Sequence, residues 1–171
     1  LFVCIKLIII FFLVKNVERR IYLLPRDSFL DDKARKVTLQ DVYKEFTETA
    51  KKLKIAEFRS RKVVKKYAFE LPGIPAETEY LEVLYSAKYQ PLPQNYHSGN
   101  TYRHVFGANA SILENLILDL NMQGPQWLVV KNPTITDSPV TWCKIELSVD
   151  KQTHITVVEE GNMPSPEFTV V

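Results

Sequence analysis

The sequence predicts an α+β fold, in which a mixed or antiparallel sheet carries two packed helices. Three observations support this class: two separated segments have apolar residues at helical spacing, several others have the period of a strand, and turn residues lie between them. The 171 residues are 46% hydrophobic and 25% charged, which suits one domain with a buried core. That balance excludes wholesale disorder and low-complexity sequence.

The chain begins with an apolar run at residues 7–14, and the apolar stretch before it is interrupted only by Lys6. A helix that crosses a bilayer needs about 20 apolar residues, and a signal peptide needs a basic start and a small-residue cleavage site. The run lacks these features and predicts a buried strand, with membrane insertion as the alternative that membrane fractionation would test. Residues 20–24 predict a second strand, and a turn at Lys15 and Asn16 predicts a hairpin of the two.

The next elements are a helix and two strand regions. Thr38 is an N-cap candidate with Asp41 three residues later, and apolar residues then recur at helical spacing, so residues 38–53 predict an amphipathic helix. Residues 55–69 contain β-branched and aromatic residues among basic ones, which predicts one or two short strands. Residues 79–85 alternate as a strand does.

A second helix is predicted from residue 111 to residue 120, because Ser111 and Glu114 form a capping-box pattern and Gly124 follows the apolar face. Residues 127–130 and 142–149 predict strands, whose Trp127 and Trp142 we expect in the core. Residues 163–166 resemble a linker. This order of strands around two helices suggests a fold of the ferredoxin or RNA-recognition-motif kind.

Positive charge is concentrated in residues 51–66, which we call the basic stretch. It holds eight basic residues and one acid, a local net charge of +7, whereas the rest of the chain has a net charge of −5. Such a stretch can contact nucleic-acid phosphates, and the equal alternative is a solvated helix end followed by a charged strand edge. The candidate DNA-binding residues are Lys51, Lys52, Lys54, Arg59, Arg61, Lys62, Lys65 and Lys66.

No motif for catalysis or metal binding is present, so we assign no catalytic residue and no metal ligand. The histidines lie in different segments without a second ligand at a suitable spacing, and we expect structural or solvated side chains at His97, His104 and His154. The acidic pairs at 31–32 and 159–160 lie in turn-like sequence and predict surface charges. Two cysteines cannot form a disulfide framework, and they suit a reducing compartment as small core residues.

Short sequence blocks resemble one family in the same order along the chain. The chain is similar to the catalytic subunits of eukaryotic DNA polymerase alpha, a branch of the family B DNA polymerases. The similarity extends from about residue 14 to residue 144. The blocks are residues 14–26, 41–46, 66–70, 79–83, 85–87, 104–107, 124–125, 127–128, 130–131 and 139–144.

The resemblance implies that the chain, which begins at Leu1 rather than Met, is a fragment of an enzyme that extends RNA primers at the start of replication. Residues 1–160 would be the N-terminal domain and residues 161–171 a linker with the first strand of the exonuclease-like domain. The acids that hold Mg²⁺ would lie downstream in the palm, so the fragment would need no cofactor and would be inactive alone. Implied partners are template-primer DNA, the RNA–DNA primer, primase, the accessory B subunit and the downstream domains, in the nucleus and without a membrane.

An alternative function is an autonomous module of the RNA-recognition type that binds single-stranded nucleic acid. Such a module needs aromatic residues on its central strands that face solvent. The sequence lacks the aromatic run typical of these modules, which makes the polymerase hypothesis the stronger one.

Overall fold

The computed structural model describes residues 2–5, 8–67, 71–124 and 126–158, with side chains from residue 10 onward. The chain divides into two compact units, of which unit 1 comprises Leu1–Val17 with Ile112–Val171 and unit 2 comprises Glu18–Ser111. In chain order the elements are β1 Phe2–Ile5, β2 Ile8–Val14, β3 Glu18–Pro25, α1 Leu39–Lys52, β4 Phe58–Lys66, β5 Glu77–Ser86, β6 Tyr102–Phe106, α2 Ile112–Asp119, β7 Leu128–Val130, β8 Thr134–Ile135, β9 Ile145–Val149 and β10 Ile155–Val157.

Unit 2 is an antiparallel sheet with the strand order β4-β5-β3-β6. The two central strands, β3 and β5, pair over six residue pairs from Glu18 and Ser86 to Leu23 and Leu81. This is the strand order of a split β-α-β unit, with α1 between β3 and β4. A short 3₁₀ helix at Gln94–Tyr96 lies between β5 and β6, where the ferredoxin arrangement has its second helix.

The helix α1 begins at a complete capping box, as the sequence predicts. The Thr38 hydroxyl accepts a hydrogen bond from the Asp41 N–H at 3.3 Å, and the Asp41 carboxylate accepts one from the Thr38 N–H at 3.0 Å. The helix buries Val42, Phe46 and Ala50, which pack into the core of unit 2. Val83 and Tyr85 of β5 lie in the same core, so they belong to the face of the sheet that packs against α1.

Unit 1 has a mixed sheet with the strand order β1-β2-β9-β8 and a separate pair of β7 and β10. The strand β2 is antiparallel to β1 and parallel to β9, and the second pairing extends from Ile10 and Ile145 to Val14 and Val149. Phe12, Val149 and Ile155 form its buried core among the described side chains. The α+β class with two helices and mixed or antiparallel sheets is confirmed.

The predicted hairpin of β2 and β3 is wrong. Asn16 does adopt a turn conformation with φ 52°, but the Lys15 N–H donates to the Val149 carbonyl oxygen, so the chain continues along β9. The strand β3 instead pairs with β5 and β6. The strand prediction for the apolar run is confirmed by β2, and no helix among the described residues has the length and apolar character needed to cross a membrane.

Three further predictions concern β4, Trp142 and α2. The region predicted as one or two short strands forms the single nine-residue strand β4. Trp142 is 74% exposed, so its predicted core position is wrong, because it lies in the loop before β9 rather than within the strand. The helix α2 is confirmed, but none of its residues is buried. The predicted linker and strand at 161–171 lie outside the described residues.

Candidate nucleic-acid interface

The eight candidate DNA-binding residues fall on separate parts of unit 2. Lys51 and Lys52 occupy the last turn of α1, and Lys54 lies just beyond its C-cap with φ 57°. The other five lie on β4, which is an end strand of its sheet. The basic stretch therefore extends from a helix end to an edge strand of the sheet.

The cations of β4 point to both faces of the sheet. Phe58 faces α1, because its ring makes an edge-on contact with the Phe46 ring at a centroid distance of 5.1 Å. Since successive side chains of a strand alternate, Lys62 and Lys66 share the face of Phe58. The opposite face, which we call the open face, carries Arg59, Arg61 and Lys65.

Three of the β4 cations are paired with carboxylates on β3 and β5. Ion pairs join Arg59 to Glu18, Arg61 to Glu82 and Lys62 to Glu79. The two pairs that are exposed on both sides, Arg59 with Glu18 and Lys62 with Glu79, add only about 0–1 kcal/mol to stability. The three pairs do neutralise much of the charge that the sequence places on this strand, so less of it is available to phosphates.

Glu82 is the buried centre of the open face, with 1% of its surface exposed. It pairs with Arg61 on one side, and Arg20 Nε lies 3.6 Å from its Oε1. Burial acts to raise the pKa of Glu82, but the hydrogen bond and charge of Arg61, together with Tyr22 and Arg20, outweigh it and lower the pKa below its ordinary value. Two guanidinium groups thus keep this carboxylate ionised, which is a structural role.

Aromatic rings also lie on the open face. Phe106 contacts Tyr67 at a centroid distance of 5.4 Å and Tyr80 at 6.0 Å, and Lys65 Nζ lies 5.4 Å from the Tyr22 ring centroid. Tyr80 is only 3% exposed, whereas Tyr22 and Phe106 are half-buried. Of the two central strands, β3 therefore presents an aromatic ring that a base could reach, and β5 does not.

A cavity of about 360 Å³ adjoins the end of α1. Lys54 lies on one side of it, and Lys88 and Tyr89, in the turn after β5, lie on the other. Sequence reasoning included Lys54 in the basic stretch but missed Lys88 and Tyr89, because only the packing of α1 on β5 brings the two segments together. A single Lys-Tyr pair in a turn carries no sequence signal for such a site.

Two of the three histidines, His97 and His104, lie in unit 2 and make different contacts. His97 Nε2 is 3.0 Å from the Leu92 carbonyl oxygen, and the His104 ring lies 6.1 Å from that of Phe106. Burial and the charges of Arg103 and Arg26 lower the pKa of His104. Within the part of the chain that the structure describes, no group of three or more His, Cys, Asp or Glu side chains could hold a metal ion.

The remaining polar candidates are surface groups. Asp31 and Asp32 are exposed, and Asp32 accepts a hydrogen bond from the Ala34 N–H at 3.1 Å, which makes it a turn residue. The pair at 159–160 lies outside the described residues. Cys143 is a buried free thiol, consistent with the expected small core residue.

Comparison with known proteins identifies the family. A family model for DNA polymerase family B, exonuclease domain, matches residues 103–171. DNA polymerase alpha catalytic subunits align with most of the chain: the protein of Xenopus laevis is 45% identical over 86% of this chain, that of Mus musculus 44% over 89%, and that of Drosophila melanogaster 39% over 90%.

The alignments cover only a small part of those relatives. The chain spans 10% of the Xenopus protein and 11% of each of the other two. The similarity nevertheless continues through both structural units, from the strands of unit 2 into the segment matched by the exonuclease-domain model. The chain therefore belongs to the family B DNA polymerases, among which its relatives are DNA polymerase alpha catalytic subunits.

Proposed function

We propose that this chain is part of a replicative DNA polymerase that extends RNA primers with deoxynucleotides. The observation that carries the proposal is the identity of 45% with a DNA polymerase alpha catalytic subunit over 86% of the chain. Template-primer DNA and the RNA–DNA primer are then its nucleic-acid partners. By the same resemblance, primase and an accessory B subunit are its protein partners, and the nucleus is its location.

Within that enzyme, the chain has a structural and DNA-contacting role rather than a catalytic one. Phosphoryl transfer by two metal ions needs acidic side chains that hold both ions about 3.5–4 Å apart. The described residues offer no such donor set for the Mg²⁺ expected of the whole enzyme. The basic stretch is the part of the chain that we expect to meet the template.

A segment exchange tests this role. We expect a Xenopus catalytic subunit that carries this chain in place of its own matching segment to extend a primer, because the two sequences are 45% identical over 86% of this chain. The isolated 171-residue chain should incorporate no labelled nucleotide. Incorporation by the isolated chain, or an exchange that folds but leaves the enzyme inactive, would contradict the proposal.

A module of the RNA-recognition type remains a second candidate because of one observation. The strand order of unit 2 matches that fold, and Tyr22 lies half-buried on its open face. If this candidate is right, Tyr22→Ala weakens binding of a single-stranded oligonucleotide by about 1–3 kcal/mol, the usual value of one stacked base. An unchanged affinity would remove the candidate.

A further inference from the structure

The cavity at the end of α1 is bordered by two lysines from different elements. Lys54 follows the helix, and Lys88 lies in the turn after β5 with its Nζ 4.9 Å from the Tyr89 ring centroid. Both lysine side chains are exposed. Leu53, Ile55, Pro91 and Pro93 add apolar side chains to the lining. The combination of cations with apolar side chains suits a ligand that has both a phosphate and a ring.

Hydrogen bonds fix the Tyr89 side of this cavity. The Tyr89 N–H donates to the Ser86 carbonyl oxygen at 3.1 Å, and the Tyr89 carbonyl oxygen accepts from Arg19 Nε at 3.2 Å. The Tyr89 hydroxyl accepts from the Ala56 N–H at 3.3 Å, which joins the turn to the segment after α1. Both sides of the cavity are therefore positioned without a ligand, and a preformed site loses less entropy when it binds.

The charge around this cavity differs from that on β4. Among the described residues that line it, two are cations and none is an acid. On β4, in contrast, carboxylates pair with Arg59, Arg61 and Lys62. The partial negative charge of a helix C-terminus, about half an elementary charge, is smaller than the charge of these two lysines together.

We propose that this cavity binds a phosphate group of a single nucleic-acid strand, with Lys54 and Lys88 as its phosphate ligands and the apolar lining beneath a neighbouring sugar or base. The site rests on the proposed function in one respect, that the ligand is a nucleic-acid strand rather than a free phosphate ion. The proposed site limits the DNA contacts of the basic stretch to the end of α1 and adds Lys88 as a contact residue.

The test measures binding of a fluorescent oligothymidylate to the 171-residue chain by anisotropy over a range of salt concentrations. The variant is Lys54→Gly with Lys88→Gln, because glycine readily adopts the left-handed backbone found at Lys54. Each phosphate contact with a single strand contributes about 0.7 to the slope of log K against log salt. Because the two lysines bind one phosphate group, we expect the slope to fall by about 0.7 and the affinity in 0.1 M salt to fall about 5-fold.

The matched control removes the same charge elsewhere in unit 2, by Lys33→Gln with Lys36→Gln, two other exposed lysines. If the control lowers the affinity and slope as much as the cavity variant, the site is wrong and only net charge matters.

A second variant, Lys65→Gln with Lys66→Gln, tests the β4 end of the basic stretch. If it removes binding while the cavity variant keeps it, the DNA contact is supported and the cavity is wrong. Absence of any oligonucleotide binding by the unaltered chain overturns both proposals. In a competition experiment, millimolar inorganic phosphate is added to the complex with the fluorescent oligonucleotide. If it displaces the probe as well as unlabelled oligonucleotide does, the ligand is a free phosphate and the assignment to a nucleic-acid strand is wrong.

Discussion

The carboxylate of Glu45, in α1, accepts hydrogen bonds from the backbone N–H groups of Asn100 and Thr101 at 2.8 Å and 2.7 Å. The Thr101 hydroxyl donates to the same carboxylate, and Thr101 is 4% exposed. A single side chain thus satisfies the donors of a segment that lies more than fifty residues away in sequence. This contact fixes the start of β6 against the helix.

Replacing Glu45 by glutamine should destabilise the protein. One carboxylate oxygen becomes an NH₂ group that faces an N–H donor, and a buried donor without an acceptor costs about 1–3 kcal/mol. Urea unfolding measures the change. Glu48→Gln, at an exposed position of the same helix, is the control and should change stability by less than about 0.5 kcal/mol. Equal effects of the two variants would contradict the role of Glu45.

Gly99→Ala should disturb the same contact by steric overlap. An added Cβ would lie 2.2 Å from Glu45 Oε1 and 2.8 Å from Tyr102 Cε1, so both side chains or the backbone must move. We expect a loss of about 1–3 kcal/mol. Combined with Glu45→Ala, the loss should be smaller than the sum of the two single losses, because the alanine removes the overlapping carboxylate. Additive losses in a double-mutant cycle would show that the two positions are independent.

Glu82→Gln should change how stability depends on pH. Because the pKa of Glu82 is lower in the folded chain than its ordinary value of 4.5, its contribution is present above pH 4.5 and is lost as the pH falls through the folded pKa. The variant should therefore be less stable by about 1–2 kcal/mol at pH 7 and should lose less stability on acidification. Thermal unfolding between pH 7 and pH 3 measures both, with Glu79→Gln at the exposed pair with Lys62 as a control.

Lys54→Gly should stabilise the protein. Lys54 adopts φ 57°, in the left-handed region, which costs a residue with a Cβ about 1–2 kcal/mol relative to glycine. Since part of that gain is offset by the greater freedom of glycine in the unfolded chain, we expect a net gain of about 0.5 kcal/mol. Urea unfolding of Lys54→Ala provides the comparison, because alanine removes the same charge without relieving the backbone. A larger gain for alanine would contradict the backbone explanation.

Trp142→Ser should leave stability nearly unchanged. The Trp142 side chain is 74% exposed, and substitutions at exposed positions usually change the free energy of unfolding by less than about 0.5 kcal/mol. Phe12→Ala, at a side chain that is 6% exposed in the same unit, should cost about 3 kcal/mol. A loss of similar size for Trp142→Ser would show that the ring is buried by a contact in solution.

Local signals predicted the helices and most strands. The pair of Thr38 and Asp41 defined the start of α1, and the alternation at residues 79–85 predicted β5, because both patterns involve residues close in sequence. The pairing of the strands was harder to predict. Lys15 and Asn16 form a turn, but a hairpin of β2 and β3 would need the same turn, so the turn does not distinguish the two arrangements. The strand β2 pairs instead with β9, which is far from it in sequence.

The candidate site shows the same limit. The count of cations in residues 51–66 was correct, but the partners Glu18, Glu79 and Glu82 come from other strands, and their pairing depends on the register of the sheet. Lys88 joins Lys54 for the same reason. The sequence therefore predicts which segment carries the cations. Ion pairs formed in the folded sheet determine which of these cations a phosphate can reach.

The parallel pairing of β2 with β9 also constrains how the chain is made. During synthesis, β2 leaves the ribosome before all of unit 2, and its partner β9 emerges only after it. Of its two partners among the described strands, β1 and β9, a seven-residue strand of Ile, Phe, Leu and Val then lacks β9. Such a segment is prone to associate with other chains.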